Sequence, residues 1–114
     1  VLFFQNQALK GAMLNITFLY FEDCPSHEAA LERLRGVMAE EDIDAPVKII
    51  KVETDEEAEK WHFVGSPTIL VDGRDIDPPQ HGASPALTCR TYHLEDGRFS
   101  PLPSVAMIRR GLRG

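Results

Sequence analysis

The run LNITFLYF, residues 14–21, passes directly into Glu22-Asp23-Cys24-Pro25-Ser26-His27. The run is apolar, β-branched and aromatic almost without interruption. A segment this short and this apolar reads as a strand covered on both faces, central in a sheet. The acidic pair and Cys24-Pro25 break it. Proline is well tolerated in a first helical turn, where its missing N–H has no intrahelical partner anyway. From there to about residue 41, Ala30, Leu31, Leu34, Val37 and Met38 recur at the spacing of one helix face. Glu28 and Glu32 come early, where the helix dipole favours negative charge. The stretch predicts a buried strand, a tight turn bearing a cysteine, and an amphipathic helix.

Working outward, residues 46–52 (PVKIIKV) read as a second strand. Thr54 is a good N-cap and Glu57 completes a capping box, starting a short helix from Asp55 to about Phe63 that Val64-Gly65-Ser66 ends. Residues 67–71 (PTILV) form a third strand, Asp72-Gly73 is a hairpin turn, and residues 74–77 begin a fourth strand. Residues 77–86, with Pro78, Pro79 and Pro85, read as an irregular loop, of a length that in small domains is often functional. Residues 87–94 (LTCRTYHL) fit either an edge strand or a packed loop. A last helix runs from Ser104 to about Leu112, with Arg109, Arg110 and Arg113 near its C-terminus, where the dipole favours cations. The order implies an α/β fold. Its mixed sheet has four strands, or five if residues 87–94 join, flanked by helices, and its first three strands form a right-handed parallel unit. Residues 1–12 read as a tag or disordered extension, outside a single domain covering residues 13–114.

The chain has 114 residues, enough for one domain and no second core. Apolar residues make up 43% and charged residues 26%, ordinary globular values. The net charge is -6 with an isoelectric point near 5.1, which argues against nucleic acid and against an anionic membrane as partner. No apolar run is long enough to span a membrane. Two cysteines are too few for a disulfide-built scaffold but enough for one redox pair. The short apolar run Val1-Leu2-Phe3-Phe4-Gln5 lacks a basic n-region and does not read as a signal peptide, so the expected compartment is the reducing cytoplasm.

Cys24 carries the first chemical signal. A thiol at a strand-to-helix turn faces the unpaired N–H groups of the helix start, which stabilise the thiolate and lower its pKa. Glu22 and Asp23 act the other way. A plain buried cysteine is the competing reading. His27 falls one helical turn on, where its ring can reach the sulfur side and, protonated, favour the thiolate; it equally fits a solvent-facing position. His81 and His93, with Cys24, His27 and Cys89, match no compact zinc spacing. Trp61 and Phe63 read as packing residues. Arg74 and Arg90 suit a carboxylate ligand such as that of glutathione, but solvated surface suits each better.

Taken together, Phe21-Glu22-Asp23-Cys24-Pro25-Ser26-His27 and Val64-Gly65-Ser66-Pro67-Thr68 resemble the thioredoxin superfamily. Gly65-Ser66-Pro67-Thr68-Ile69-Leu70-Val71-Asp72-Gly73 and Cys89-Arg90-Thr91-Tyr92 make the chain most similar to small bacterial thioredoxin-like proteins, some of them described as alkylmercury-lyase-like. The resemblance covers residues 14–112. It implies a thioredoxin-like fold in which Cys24 is the nucleophile. Pro25 and a cis Ser66–Pro67 followed by Thr68 would line the substrate, with a backbone edge offered to it. No cofactor is implied. The chain departs from the family in having His27 where a resolving cysteine is usual. A mixed disulfide at Cys24 is then resolved by an external thiol such as glutathione, or by Cys89 if its Cα comes within about 7 Å of that of Cys24.

Three functions fit these residues. The first is a thiol–disulfide oxidoreductase acting on a protein or small-molecule thiol or disulfide. The second is a non-catalytic interaction module with a groove beside Pro67. The third is a protein whose Cys24 and Cys89 bind a soft metal ion or an organomercurial.

Overall fold

In a computed structural model, which describes residues 14–79 and 82–114, strand β1 (Ile16–Tyr20) leads into helix α1 (His27–Glu40). Strand β2 (Val47–Lys51), helix α2 (Asp55–Trp61), strand β3 (Thr68–Val71) and strand β4 (Arg74–Asp75) follow. Strands β5 (Tyr92–His93) and β6 (Phe99–Ser100) and helix α3 (Val105–Arg113) complete the chain. Residues 1–12 and His81 lie outside the described residues.

The main sheet has the order β2-β1-β3-β4, with β1 at its centre. Side chains alternate across β1, so Ile16 and Phe18 point to one face and Leu19 to the other. The first face packs on Ala30, Leu34, Val37 and Met38 of α1 and on Ile108 and Leu112 of α3. The second packs on Val52, Ala58 of α2 and Phe63. Both faces are covered, which is why the run is apolar throughout; each fully buried Phe or Leu stabilises the fold by about 1.5–3 kcal/mol. Edge strand β2 keeps Lys48 and Ile49 exposed.

The direction of β3 corrects the expected parallel unit. β1 and β2 are parallel, but β3 runs antiparallel to β1, and β4 antiparallel to β3. The chain re-enters the sheet at the end where β2 left it, so the short α2, which rises only about 10 Å, need not carry it back along the strand. Helix α2 is capped by Thr54, whose hydroxyl accepts from the Glu57 N–H at 3.1 Å. The Glu57 carboxylate reaches the N–H of Glu53 rather than that of Thr54 (3.2 Å).

The possible fifth strand does not join this sheet. Tyr92–His93 pairs with Phe99–Ser100 in a separate two-stranded ladder closed by the turn at Gly97. Helix α3 starts at Ser104, whose hydroxyl accepts from the Met107 N–H at 3.0 Å. It is tied to the end of α1 by Arg109 and Arg113 on Glu40 and Glu41.

Candidate functional site

Cys24 sits in the turn between β1 and α1. Its N–H donates to the Phe21 carbonyl (3.0 Å), which closes the turn and sets the sulfur over the first turn of α1. The residue is 1% exposed. Its sulfur lies 3.3 Å from the Ser26 hydroxyl and, as a thiol, donates to the Ser66 carbonyl at 3.4 Å.

The second thiol comes from far along the chain. Residues 88–90 run beside Ser66 as a one-residue parallel bridge. The Ser66 N–H donates to the Thr88 carbonyl (2.8 Å), and the Arg90 N–H donates to the Ser66 carbonyl (2.8 Å). This brings the exposed thiol of Cys89 up to the buried sulfur of Cys24, close enough for each to shift the other's pKa; neither cysteine is in a disulfide.

The two thiols titrate in opposite senses. Burial pushes the Cys24 thiol up, but hydrogen bonds from Cys89, from the Ser26 hydroxyl and N–H, and from Ser66 outweigh it and leave the pKa below the ordinary thiol value. The Cys89 thiol is raised by its bond to Cys24, by burial and by the negative charge that Cys24 carries. Two interacting thiols give up their protons in two steps, and the first leaves the group whose anion is better hydrogen-bonded. Here the thiolate belongs to Cys24. Glu22 turns away to Lys51 (3.2 Å), and neither it nor Asp23 is among the main causes of the Cys24 shift.

No family model, curated protein or solved structure matches this chain.

The other candidate residues have definite places. Ser66, Pro67 and Thr68 are buried opposite Cys24, and the Ser66–Pro67 peptide bond is cis. The Ser66 hydroxyl accepts from the Phe21 N–H (2.9 Å), so its own proton is available to the Cys24 sulfur. Pro25 is exposed on the solvent side of the turn. The His27 ring stacks on Tyr20 with centroids 4.5 Å apart, and it is not among the groups that shift Cys24. His93 stacks on Phe99 at 4.8 Å. Among the described residues no three His, Cys, Asp or Glu side chains converge to hold a metal ion; the site offers a soft ion two sulfurs.

Arg90 is a correction. It is 6% exposed, not solvated surface. Its guanidinium donates to Asp75 (2.7 Å), to the Thr68 hydroxyl (3.3 Å) and to the Asp77 carbonyl, and it lies over the Tyr92 ring at 4.5 Å. Three of its five N–H donors are taken within the chain, and burial keeps the group from a ligand carboxylate. The Thr68 hydroxyl in turn donates to the Gly65 carbonyl (2.6 Å), and the Tyr92 hydroxyl donates to the Pro67 carbonyl (2.5 Å). Burial raises the Tyr92 phenol, which stays neutral. The network therefore braces both sides of the thiol pair. Sequence reasoning missed Asp75 and Tyr92, although one signal was present. Cys89, Thr91 and His93 alternate with Arg90 and Tyr92, and the structure exposes the first set and buries the second.

Proposed function

We propose that this protein is a thioredoxin-like thiol–disulfide oxidoreductase whose working groups are Cys24 and Cys89. The observation that carries the reading is the meeting of these two thiols, one buried with a lowered pKa, the other exposed with a raised one. Further support for a thioredoxin-like architecture is the strand-turn-helix that carries Cys24 opposite Ser66-Pro67-Thr68 in a mixed β2-β1-β3-β4 sheet.

In the forward reaction the pair reduces a substrate disulfide to two thiols and closes a Cys24–Cys89 disulfide, two electrons passing from protein to substrate. Cys24 supplies the thiolate without an external base, because its hydrogen bonds already favour the charged form. An external thiol such as glutathione returns the pair to its reduced state. A reducing compartment, the cytoplasm, suits this cycle.

The test uses wild type, Cys24→Ser and Cys89→Ser with a disulfide substrate. Wild type is expected to turn over and to yield a chain lighter by two hydrogens, with residues 24 and 89 cross-linked in the peptide map. Each single variant is expected to stop after one exchange. Wild type that keeps both thiols free in excess disulfide overturns the reading.

The convergence of two sulfurs without a third ligand also favours a second reading, linear binding of a soft ion such as Hg²⁺ or Cu⁺. Titration with either ion distinguishes it, since binding would then persist while disulfide turnover is absent. The interaction-module reading is less favoured, because the Ser66 backbone beside Pro67 is already hydrogen-bonded within the chain.

A further inference from the structure

We infer that Cys89, not Cys24, is the thiol that first bonds to substrate, and that the substrate is a low-molecular-weight disulfide. This rests on the reading of the two cysteines as a redox pair and reverses the order expected from the position of Cys24 before a helix.

Access decides the order. Disulfide exchange requires the attacking sulfur to approach the substrate's S–S bond, so a covered sulfur reacts slowly whatever its charge. Cys24 is 1% exposed and has Ser26, Ser66 and Cys89 around its sulfur. Cys89 is exposed and opens onto a groove of about 700 Å³ lined by Val64, Pro78, Pro79, His93 and Phe99. Phe99 is itself 69% exposed at the groove's rim. The walls mix these apolar side chains with Asp77, Arg90 and Thr91, and offer a small disulfide carrying polar groups a place beside the sulfur.

The backbone decides the substrate class. An extended polypeptide would need free N–H and C=O groups to lie against the sheet end beside Cys24. Those of Ser66 are taken by Thr88 and Arg90. The segment that takes them is locked by the buried Arg90–Asp75 pair, with side chains 5% and 13% exposed. A small disulfide needs no such pairing.

The chemistry balances. The Cys89 proton passes to the Cys24 sulfur, and the Cys89 thiolate attacks one sulfur of RSSR. The S–S bond breaks and RS⁻ leaves, taking a proton from solvent. Cys24 then returns its proton to solvent, and its thiolate attacks the Cys89 sulfur. The Cys89–SR bond breaks, and a second RS⁻ leaves and is protonated. The products are two RSH and the Cys24–Cys89 disulfide. In the return direction a reducing thiol attacks the exposed Cys89 sulfur, and Cys24, the better leaving group, departs.

The experiment treats Cys24→Ser and Cys89→Ser with Ellman's reagent and with oxidised glutathione, following thiol release and adduct mass, with circular dichroism to confirm folding. Cys24→Ser is expected to form a lasting adduct on Cys89 at least about tenfold faster than Cys89→Ser forms one on Cys24, access outweighing ionisation. A faster Cys89→Ser overturns the order. Wild type is also labelled with limiting iodoacetamide and mapped. Label on the Cys89 peptide supports the proposal independently of either variant, and label on the Cys24 peptide overturns it. Insulin reduced as fast as oxidised glutathione overturns the substrate class. Wild type that closes the Cys24–Cys89 disulfide while labelling first at Cys24 refutes only the order. Wild type that stops at a Cys89 adduct refutes the redox pair itself.

Discussion

The two cysteines of the site are held in place by different physics. Cys24 stands between the central strand and a 14-residue helix, and the sheet and helix around it are packed through apolar side chains. Cys89 stands in a stretch that joins no strand of the main sheet. It is fixed by two backbone hydrogen bonds to Ser66 and by the inward turn of its neighbour Arg90 onto Asp75 and Tyr92. The first half of the site is as robust as the core. The second depends on a buried charge having its partner, an arrangement that is weak as a source of stability but costly to interrupt on one side only.

Breaking that partner is the most direct attack on the comparison. Arg90→Met keeps most of the apolar stem and leaves Asp75 without its cation. The expected cost is about 3–5 kcal/mol, the range for an orphaned buried charge, read as a lowered urea midpoint. The exposed pair Arg98–Asp96, with side chains 77% and 52% exposed, gives the contrast. Arg98→Ala is expected to cost less than about 1 kcal/mol. Similar losses at the two arginines would mean that the Cys89 segment is not braced as described.

A smaller effect is expected where the two regions touch. Gly65 has φ +150°, and a Cβ built there would lie 2.8 Å from the Arg90 Cα and 3.0 Å from its N. Backbone cannot yield as a flexible side chain can, so Gly65→Ala must push residues 88–90 away from Ser66. Overpacking of this kind costs about 1–3 kcal/mol. Cross-linking of Cys24 to Cys89 by oxidised glutathione is expected to slow in this variant. An unchanged rate would show that the segment tolerates displacement and sharpen the role of side chains over backbone.

The same contrast explains what could be read in advance. Strand β1, helix α1, the Thr54 cap and the Asp72-Gly73 hairpin were legible because each depends on neighbours a few residues away. The turn placing Cys24 was legible for the same reason, whereas Ser66-Pro67-Thr68 opposite it was expected only from the family resemblance. The direction of β3 was not legible, because it depends on which end of the sheet the chain re-enters after α2, and no local pattern marks that. Arg90 was assigned to solvent because a charged residue is seldom buried unless paired, and its partner Asp75 lies across a proline-rich loop whose path no local rule predicts. Cys89 was named as a possible partner of Cys24, but only the pairing of Thr88 and Arg90 with Ser66 brings it there.

The pH dependence of stability offers the finest probe of the pair, because its two members contribute with opposite sign. Cys24 has a folded pKa below the ordinary thiol value. Between these two values the unfolded chain holds a proton that the folded chain has lost, so stability rises with pH. Cys89 has a folded pKa above the ordinary value. Between those values the folded chain keeps a proton that the unfolded chain has lost, so stability falls with pH. The pair's contribution should therefore peak near the ordinary thiol pKa of about 8.5. In Cys89→Ala the Cys24 thiolate loses a hydrogen-bond donor, and its absorbance titration near 240 nm should move upward. In Cys24→Ala the remaining thiol loses both the bond and the charge that raise it and should titrate lower. Urea unfolding of wild type across this pH range should trace the rise and fall, and Cys24→Ser should lack the rise. A Cys24 titration unmoved by Cys89→Ala would mean that Ser26 and Ser66 alone hold its thiolate, and that Cys89 is a neighbour rather than a partner.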